Sequence, residues 1–321
     1  MFAIDISGDA LVWTQVEAPV CGPGEVKIQV AATAINRADL VQRQGGYPPP
    51  PGASPILGLE CAGEVVEIGE GVSRVRVGDT VCALLAGGGY ASEVVVPAGQ
   101  VLPIPEGLDY VQAAAIPEVF ATAYLNLYTE AALRPGETVL LHAGASGVGT
   151  AAIQMLKHTD NPCFVTAGSA KKVEQCIALG AAGGSDRHQG SFKEAVEAWQ
   201  PEGVDVILDP VGASYLKDNL DIAKLNGRLV LIGLMGGTSA EISLAALMMK
   251  RLRVIGSTLR ARPIAEKAQV MDDLERDVWP ALAQGSIQPI IEATFPIQDA
   301  TQAHALVASN ETVGKVVLTI D

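Results

Sequence analysis

The feature that most restricts this chain is a six-residue glycine turn, Gly144-Ala145-Ser146-Gly147-Val148-Gly149, set between two segments of opposite rhythm. Before it, Thr138 to Ala143 (TVLLHA) is a short apolar run of buried-strand character; after it, Val148, Ala151, Ala152, Met155 and Leu156 recur at helical spacing. A strand that runs through glycines directly into a helix leaves free N–H groups and a positive dipole end at the helix N-terminus, a ready site for a pyrophosphate. This is the context in which a dinucleotide fingerprint has physical meaning. Gly144 permits the tight turn and Gly149 a close helix-to-strand approach, while Ser146 stands at the middle glycine position and is small enough to keep the backbone near the phosphates. The competing reading, Ser146 as nucleophile of a hydrolase elbow, fails on Val148 at the fifth position and on the absence of an Asp and His in order behind it.

The same alternation continues. Cys163 to Ala167 is a second apolar strand followed by the amphipathic stretch Lys171 to Leu179, and later strands are expected at Val204 to Leu208, Leu229 to Ile232 and Val254 to Ser257. Repeated strand–helix units predict an α/β fold with a doubly wound parallel sheet. The first hundred residues read differently: Val26 to Val30, Glu64 to Ile68, Thr80 to Leu85 and Glu93 to Val96 alternate β-branched with polar residues between Gly and Pro clusters. They predict an all-β unit, a partly open barrel. With 34 glycines in 321 residues, such turns and close approaches are well supplied. Beyond Leu259 one long helix is expected over Ile264 to Gln284, then a β-rich tail, Gly314 to Ile320, that rejoins the first unit.

At the end of the second strand an NAD-binding chain would carry an acid for the ribose 2′-hydroxyl. Here the sequence is Thr166-Ala167-Gly168-Ser169-Ala170-Lys171-Lys172. A small residue followed by lysines leaves room and charge for a 2′-phosphate and favours NADPH; alternatively the lysines lie on a solvated helix face.

Charge excludes other classes. With 22 basic against 36 acidic residues and a net of −14, the chain would repel nucleic acid and anionic lipid. Its longest apolar runs, such as Ile242 to Met249, fall far short of the ~18 residues of a membrane span. Asp5 and Asp9 interrupt any secretory apolar run, so a cytoplasmic location is expected. Cys21, Cys61, Cys82, Cys163 and Cys176 are too scattered for a disulfide framework or zinc cage and read as buried thiols. His142, His158, His188 and His304 are isolated and read as structural or exposed.

Several stretches together resemble a known family: Ala34-Ile35-Asn36-Arg37-Ala38-Asp39, Gln42-Arg43-Gln44-Gly45-Gly46-Tyr47 with its prolines, Gly58-Leu59-Glu60, Ala113-Ala114-Ala115-Ile116-Pro117-Glu118, the glycine turn with Thr150-Ala151-Ala152-Ile153-Gln154, and Gly314-Lys315. The chain is similar to the zinc-independent quinone oxidoreductases of the medium-chain dehydrogenase/reductase superfamily, the zeta-crystallin branch. Its closest likeness is to the tumour-suppressor-inducible NADPH quinone oxidoreductase subgroup. The resemblance implies a GroES-like catalytic domain over residues 1–120, a Rossmann dinucleotide-binding domain over 121–259, a return to the first domain over 260–321, and a cleft between the domains. Zinc-using relatives place a Cys where Asn36 stands and a His where Leu59 stands, and neither replacement ligates Zn²⁺. No metal is therefore expected.

By position, the resemblance implies that Asn36, Tyr47 and Thr122 face the nicotinamide, with Tyr47 and Asn36 as the catalytic candidates. Ser146, Gly147 and Val148 would hold the pyrophosphate, and Gly168 and Lys172 the adenosine phosphate. Gly233, Leu234, Leu259, Asn310 and Lys315 would line the nicotinamide side, although Gly and Leu there are also ordinary turn and core choices. Relatives carry Asn-Tyr after the third strand, where this chain has Gly184-Ser185-Asp186-Arg187; Asp186 would repel a phosphate and Arg187 would offset it.

Without a metal to polarise an alcohol, the expected chemistry is hydride delivery from NADPH to a quinone, or alternatively to the β-carbon of an enone or 2-alkenal. Either acceptor gains negative charge on oxygen, which the Tyr47 hydroxyl would stabilise, unless Tyr47 only packs on the proline loop. A reading of another class is a non-catalytic NADPH-binding redox sensor. The resemblance also implies a homodimer paired through the edge strand Arg253 to Thr258, the alternative being that a loop or Ile242 to Met249 caps that edge within one chain.

Overall fold

The computed structural model describes residues 1–320. The chain forms two compact units, Met1–Ala121 joined by the segment from Leu259 onward, and Thr122–Thr258.

The first unit begins with a hairpin, β1 (Phe2–Ser7) and β2 (Ala10–Gln15). β3 (Glu25–Ala34) leads to helix α1 (Arg37–Arg43), and β4 (Glu60–Ile68), β5 (Thr80–Leu84), β6 (Glu93–Pro97) and β7 (Val101–Pro103) follow. The ten-residue β3 organises the sheet. Along one edge it pairs antiparallel with β4, and its first half also pairs with β6. Alternate β3 residues, Val26, Ile28 and Val30, are buried, as a period of two requires of a half-covered strand. Helices α2 (Tyr110–Ala114) and α3 (Pro117–Tyr124) close this part, α2 beginning at Asp109, whose carboxylate accepts from the Gln112 amide at 2.8 Å.

The second unit contains β8 (Val139–Leu141), α4 (Gly147–His158), β9 (Cys163–Ala167), α5 (Ala170–Leu179), β10 (Gly183–Asp186), α6 (Phe192–Trp199), β11 (Val204–Asp209), α7 (Leu216–Ile222), β12 (Ala223–Leu231), α8 (Leu244–Lys250) and β13 (Arg253–Gly256). The six strands run in the order β10-β9-β8-β11-β12-β13, every neighbouring pair parallel. This is a doubly wound sheet whose order reverses at β8, so β8 and β11 open a crevice at their C-terminal ends. Leu140, Phe164, Val204, Ile207 and Leu229 of the strands pack against Phe192, Val196 and Leu220 of the helices. One strand departs from expectation: Gly183–Asp186, read as lying after the third strand, is itself that strand. Two glycines, a serine and an aspartate carry no apolar signal, and pairing with the β9 backbone alone defines it.

The chain then returns to the first unit with α9 (Ile264–Asp277), α10 (Trp279–Ala283), β14 (Ile291–Pro296), α11 (Ala300–Ala308) and β15 (Lys315–Thr319). The single helix expected over Ile264 to Gln284 is two helices broken at Val278. Pro280, in the first turn of α10, has no N–H to continue the ladder, and the Trp279 indole is tied to the Pro103 carbonyl at 2.8 Å. β15 pairs antiparallel with the end of β3 and parallel with β14, giving the path β14-β15-β3-β4-β5-β7, an open sheet with unpaired ends. Val316, Leu318 and Ile320 share one core with Val26, Ile28 and Val65, so the tail completes the first unit.

Candidate active site

In the second unit the glycine turn is held to the end of β9. The Gly144 amide donates to the Thr166 carbonyl at 2.9 Å, and the preceding Ala143 lies in the left-handed region at φ 54°. A Cβ on Gly144 would stand 2.6 Å from Val165 Cβ, and one on Gly149 would stand 2.4 Å from the Gly144 carbonyl oxygen. Both positions therefore require glycine. Ser146 is the exposed N-cap of α4, its Oγ accepting from the Gly149 amide at 3.1 Å, and half-buried Gly147 and Val148 begin the first turn behind it. The sequence thus builds a helix N-terminus with its hydroxyl committed to the cap and its backbone edge open to an anion.

Beneath the turn a buried polar chain crosses the C-terminal ends of three strands. Thr166 Oγ1 meets His142 Nδ1 at 3.0 Å, His142 Nε2 meets Asn219 Oδ1 at 2.8 Å, and Asn219 Nδ2 donates to Asp209 Oδ2 at 2.9 Å. Asp209 Oδ1 in turn accepts from the amides of Val211 and Gly212. Burial holds the His142 imidazole down to about 4, so it is a neutral link. The loop so fixed packs against the next one: the Met235 amide donates to the Pro210 carbonyl at 3.2 Å, with Gly233 close to Pro210 and Leu234 close to Gly212. Leu234 is half exposed. Thr122 lies in α3, where its carbonyl accepts from Asn126 Nδ2 at 2.7 Å.

At the end of β9 the structure brings Gly168 and Arg187 together. A Cβ on Gly168 would lie 3.8 Å from Arg187 Nη2, so the guanidinium runs alongside the position that an acid would occupy in an NAD site. The Arg187 amide bonds the Ala167 carbonyl at 2.9 Å, and its Nε donates to His188 Nε2 at 3.2 Å. Asp186 is turned to its own strand end, accepting from the His188 amide at 3.0 Å. Ser169 caps α5 by accepting from the amide of Lys172, which places Lys172 in the first turn of that helix.

The first unit gathers a second set. Asn36 is buried, its Nδ2 donating to Glu60 Oε1 at 2.9 Å and its Oδ1 accepting from Lys315 Nζ at 2.7 Å. Lys315 also donates to the Ile35 carbonyl at 2.7 Å and pairs with Glu60 Oε1 at 2.8 Å, which commits its three N–H groups within the unit. It braces Asn36, and any action on a ligand would pass through that amide. Asp39, buried on α1, accepts from the Asn36 amide at 2.8 Å and the Gly58 amide at 3.0 Å, yet burial still lifts its carboxyl to about 6. Tyr47 is half buried beneath the Arg260 guanidinium, 5.2 Å from the ring centroid, and burial raises its phenol. Leu259 is a buried neighbour of Arg260 in sequence. Asn310, exposed at φ 59°, accepts from Arg37 Nη2 at 2.6 Å.

Sequence reasoning passed over Arg260 and Lys267, and it carried Glu60 and Glu118 only as letters of longer stretches. Arg260 Nε donates to the Ala86 carbonyl at 2.7 Å, Nη1 to the Tyr47 carbonyl at 3.2 Å and Nη2 to Gln42 Oε1 at 2.7 Å. Lys267 Nζ donates to the Arg260 carbonyl at 3.4 Å. Glu118 donates its amide to Glu60 Oε2 at 2.9 Å. Neither Arg260 nor Lys267 stands out in the sequence, which around them reads Arg260-Ala261-Arg262-Pro263-Ile264-Ala265-Glu266-Lys267 and gives no sign that two of these charges are buried. Cys61, Cys82, Cys163 and Cys176 are buried and uncrosslinked, as expected, whereas Cys21, also expected to be buried, is only half-buried, in the segment just before β3. Among the described residues no helix is long and apolar enough to cross a membrane.

Comparison with known proteins agrees with this architecture. Residues 22–106 match the family described as alcohol dehydrogenase GroES-like domain, and residues 147–276 the family described as zinc-binding dehydrogenase. The synaptic vesicle membrane protein VAT-1 homolog of Rattus norvegicus is 31% identical over 314 residues, covering 94% of this chain and 78% of that protein. A 2-haloacrylate reductase from a Burkholderia species is 29% identical, covering 97% of this chain and 95% of that protein. Among solved structures, Escherichia coli quinone oxidoreductase complexed with NADPH superposes with a TM-score of 0.87 at 27% identity, covering 99% of each chain. JamJ enoyl reductase superposes with a TM-score of 0.87 at 26% identity, covering 100% of this chain and 99% of that one. A GroES-like β unit, a Rossmann sheet with its glycine turn and these relatives agree: the chain belongs to the medium-chain dehydrogenase/reductase superfamily, in its quinone oxidoreductase branch.

Proposed function

We propose that this oxidoreductase uses NADPH, needs no zinc and delivers hydride to quinones, acting as a homodimer in the cytoplasm. The observation that carries the cofactor reading is the Arg187 guanidinium alongside Gly168, where an NAD enzyme would place an acid. A cation beside a small residue fits a 2′-phosphate, with Lys172 one helical turn into α5 as a second charge. The N-terminus of α4, held by Ser146, Gly147 and Val148, fits the pyrophosphate. When bound, the reduced nicotinamide supplies a hydride. The chain's own residues bind and orient it, and they provide donors for the oxygen that becomes negative. Tyr47, with its phenol kept protonated, is the donor best placed in the first unit, and Asn36 presents an amide fixed on both sides.

Zinc independence is supported by donor chemistry. Asn36 already binds Glu60 and the Lys315 ammonium, and Leu59 is an aliphatic core residue. A second acceptor class is favoured by the likeness to a 2-haloacrylate reductase and an enoyl reductase, both named for reduction of a conjugated double bond. Steady-state NADPH oxidation across a panel of quinones and enones decides between them. Quinone turnover exceeding enone turnover is expected; the reverse order would assign the double-bond reaction. Tight NADPH binding with no turnover would leave a redox sensor.

A further inference from the structure

We propose, on the reductase reading above, that Arg260 is a positioning residue: with Gln42 it clamps the proline loop, residues 47–55, and so sets where the Tyr47 hydroxyl meets the acceptor. This loop cannot be held as loops usually are. Five of its nine residues, Pro48, Pro49, Pro50, Pro51 and Pro55, have no N–H to donate, and the bond from the Ala53 amide to the Pro50 carbonyl at 3.0 Å ties the loop only to itself. Four consecutive prolines also make a stiff segment, set between glycines in the left-handed region, Gly45 at φ 80° and Gly52 at φ 84°. A stiff segment between such hinges keeps its shape while it swings, so its place is decided by whatever holds its carbonyls.

Two side chains supply those tethers, one at each end of the loop. Arg260 Nη1 donates to the Tyr47 carbonyl at 3.2 Å, and Gln42 Nε2, at the end of α1, donates to the Pro55 carbonyl at 2.9 Å. The tethers are joined, because Gln42 Oε1 accepts from Arg260 Nη2 at 2.7 Å. With its oxygen on the guanidinium, the Gln42 amide must turn its nitrogen to Pro55. Arg260 is therefore the root of both tethers.

Arg260 is itself fixed. It is 3% exposed, its Nε donates to the Ala86 carbonyl beyond β5 at 2.7 Å, and its own carbonyl accepts from Lys267 Nζ at 3.4 Å. The Ala86 anchor fits the far end of the loop: a Cβ on Gly87 would stand 2.3 Å from the Ser54 carbonyl oxygen, and the Gly88 amide donates to the Ile56 carbonyl at 2.8 Å. The Tyr47 ring lies beneath the same guanidinium, with Cζ 5.2 Å from the ring centroid. One planar group thus holds both the backbone and the ring of Tyr47. A lysine ammonium is a point charge without that fork, so it cannot serve Tyr47, Gln42 and Ala86 together.

Amide hydrogen exchange in the cofactor-free protein reads the clamp. Two amides lie beside the tethered carbonyls: Gly46, bonded to the Val41 carbonyl at 2.9 Å, and Gly88, bonded to the Ile56 carbonyl at 2.8 Å. The Ile320 amide, bonded to the Ala31 carbonyl at 2.9 Å, reports on the body of the unit. In Arg260→Lys both loop amides should exchange about tenfold faster relative to Ile320. Gln42→Met should speed Gly88 in the same way, and it carries the test if the lysine variant does not fold. In turnover, Arg260→Lys should lower kcat/KM for the acceptor about tenfold in the parent but less than about twofold in a Tyr47→Phe background, with NADPH affinity unchanged, because the effect passes through the Tyr47 hydroxyl. Unchanged exchange at Gly46 and Gly88, or a rise shared equally by Ile320, overturns the clamp. An equal loss of kcat/KM in both backgrounds overturns the positioning role. A parent that binds NADPH but reduces no acceptor overturns the reductase reading and the role of Tyr47 with it, while the exchange rates still decide the clamp.

Discussion

The cofactor preference rests on a contact that one substitution removes. Arg187→Ala leaves the backbone bond from its amide to Ala167 intact and deletes only the guanidinium beside Gly168. A charge-assisted hydrogen bond to a phosphate contributes about 1.5–3 kcal/mol, which corresponds to roughly ten- to more than a hundred-fold in affinity. Arg187 is exposed, so the lower half of that range is expected, about ten- to thirty-fold. Lys172→Ala should weaken NADPH by a comparable factor, and the double variant should bind NADPH and NADH alike. Fluorescence titration of both cofactors against the parent and the three variants measures this directly, at two salt concentrations, because an exposed contact is screened by salt. NADH affinity should not change in any variant. Equal affinity for both cofactors in the parent, or a loss in Arg187→Ala that falls equally on NADH, would refute the reasoning.

Removing the ammonium in Lys315→Met strands Glu60 in the core; urea unfolding should show a loss of about 3–5 kcal/mol, and adding Glu60→Gln should recover much of it. His142 is held down to about 4, below its unfolded value near 6.5, so the stability it confers is full above pH 6.5 and declines by about tenfold in the unfolding equilibrium per pH unit down to 4. Asp39 and Glu118, raised, act in the opposite direction, so the comparison is made with His142→Gln at each pH; equal slopes in parent and variant would contradict the assignment. Exhaustive chelation should leave turnover intact, whereas stoichiometric zinc in active protein would end the zinc-independent reading. Light scattering should give twice the chain mass, because β13 ends its sheet and Met248 and Met249 of the preceding helix are 78% and 79% exposed; a mass near one chain would rule out the dimer.

What could be read from the sequence was whatever is local. The turn at Gly144 to Gly149 needs strand, glycines and helix within twenty residues, and those residues announce themselves by period and by size. β10 was displaced by one element because Gly183-Gly184-Ser185-Asp186 has neither alternation nor β-branched residues. Pro280 was visible in the expected long helix, and its missing N–H should have divided it. The polar cluster of the first unit was hidden for a different reason. Asn36 meets Glu60 across 24 residues and Lys315 across 279, and no local pattern records that one ammonium serves both. Arg187 beside Gly168 was foreseen as a compensation for Asp186, but only the pairing of β10 with β9 makes it a neighbour.

That long separation explains why the chain must return to its first unit. Strand β15 could have been supplied by any apolar run able to pair with β3, since Val316, Leu318 and Ile320 ask only for core volume. What the return segment adds is charge: Lys315 at the start of β15, Arg260 just before α9 and Lys267 in its first turn, all buried in a unit whose interior already holds Asp39 and Glu60. Without the Lys315 ammonium, Glu60 would be an uncompensated buried charge, and the unit would be destabilised. The tail therefore does two things at once. It pairs with the open edge of β3, and it brings the ammonium that pairs with buried Glu60. A shortened chain ending near Thr258 would lose the sheet partner and the charge balance together, so core and site fail as one element rather than in sequence.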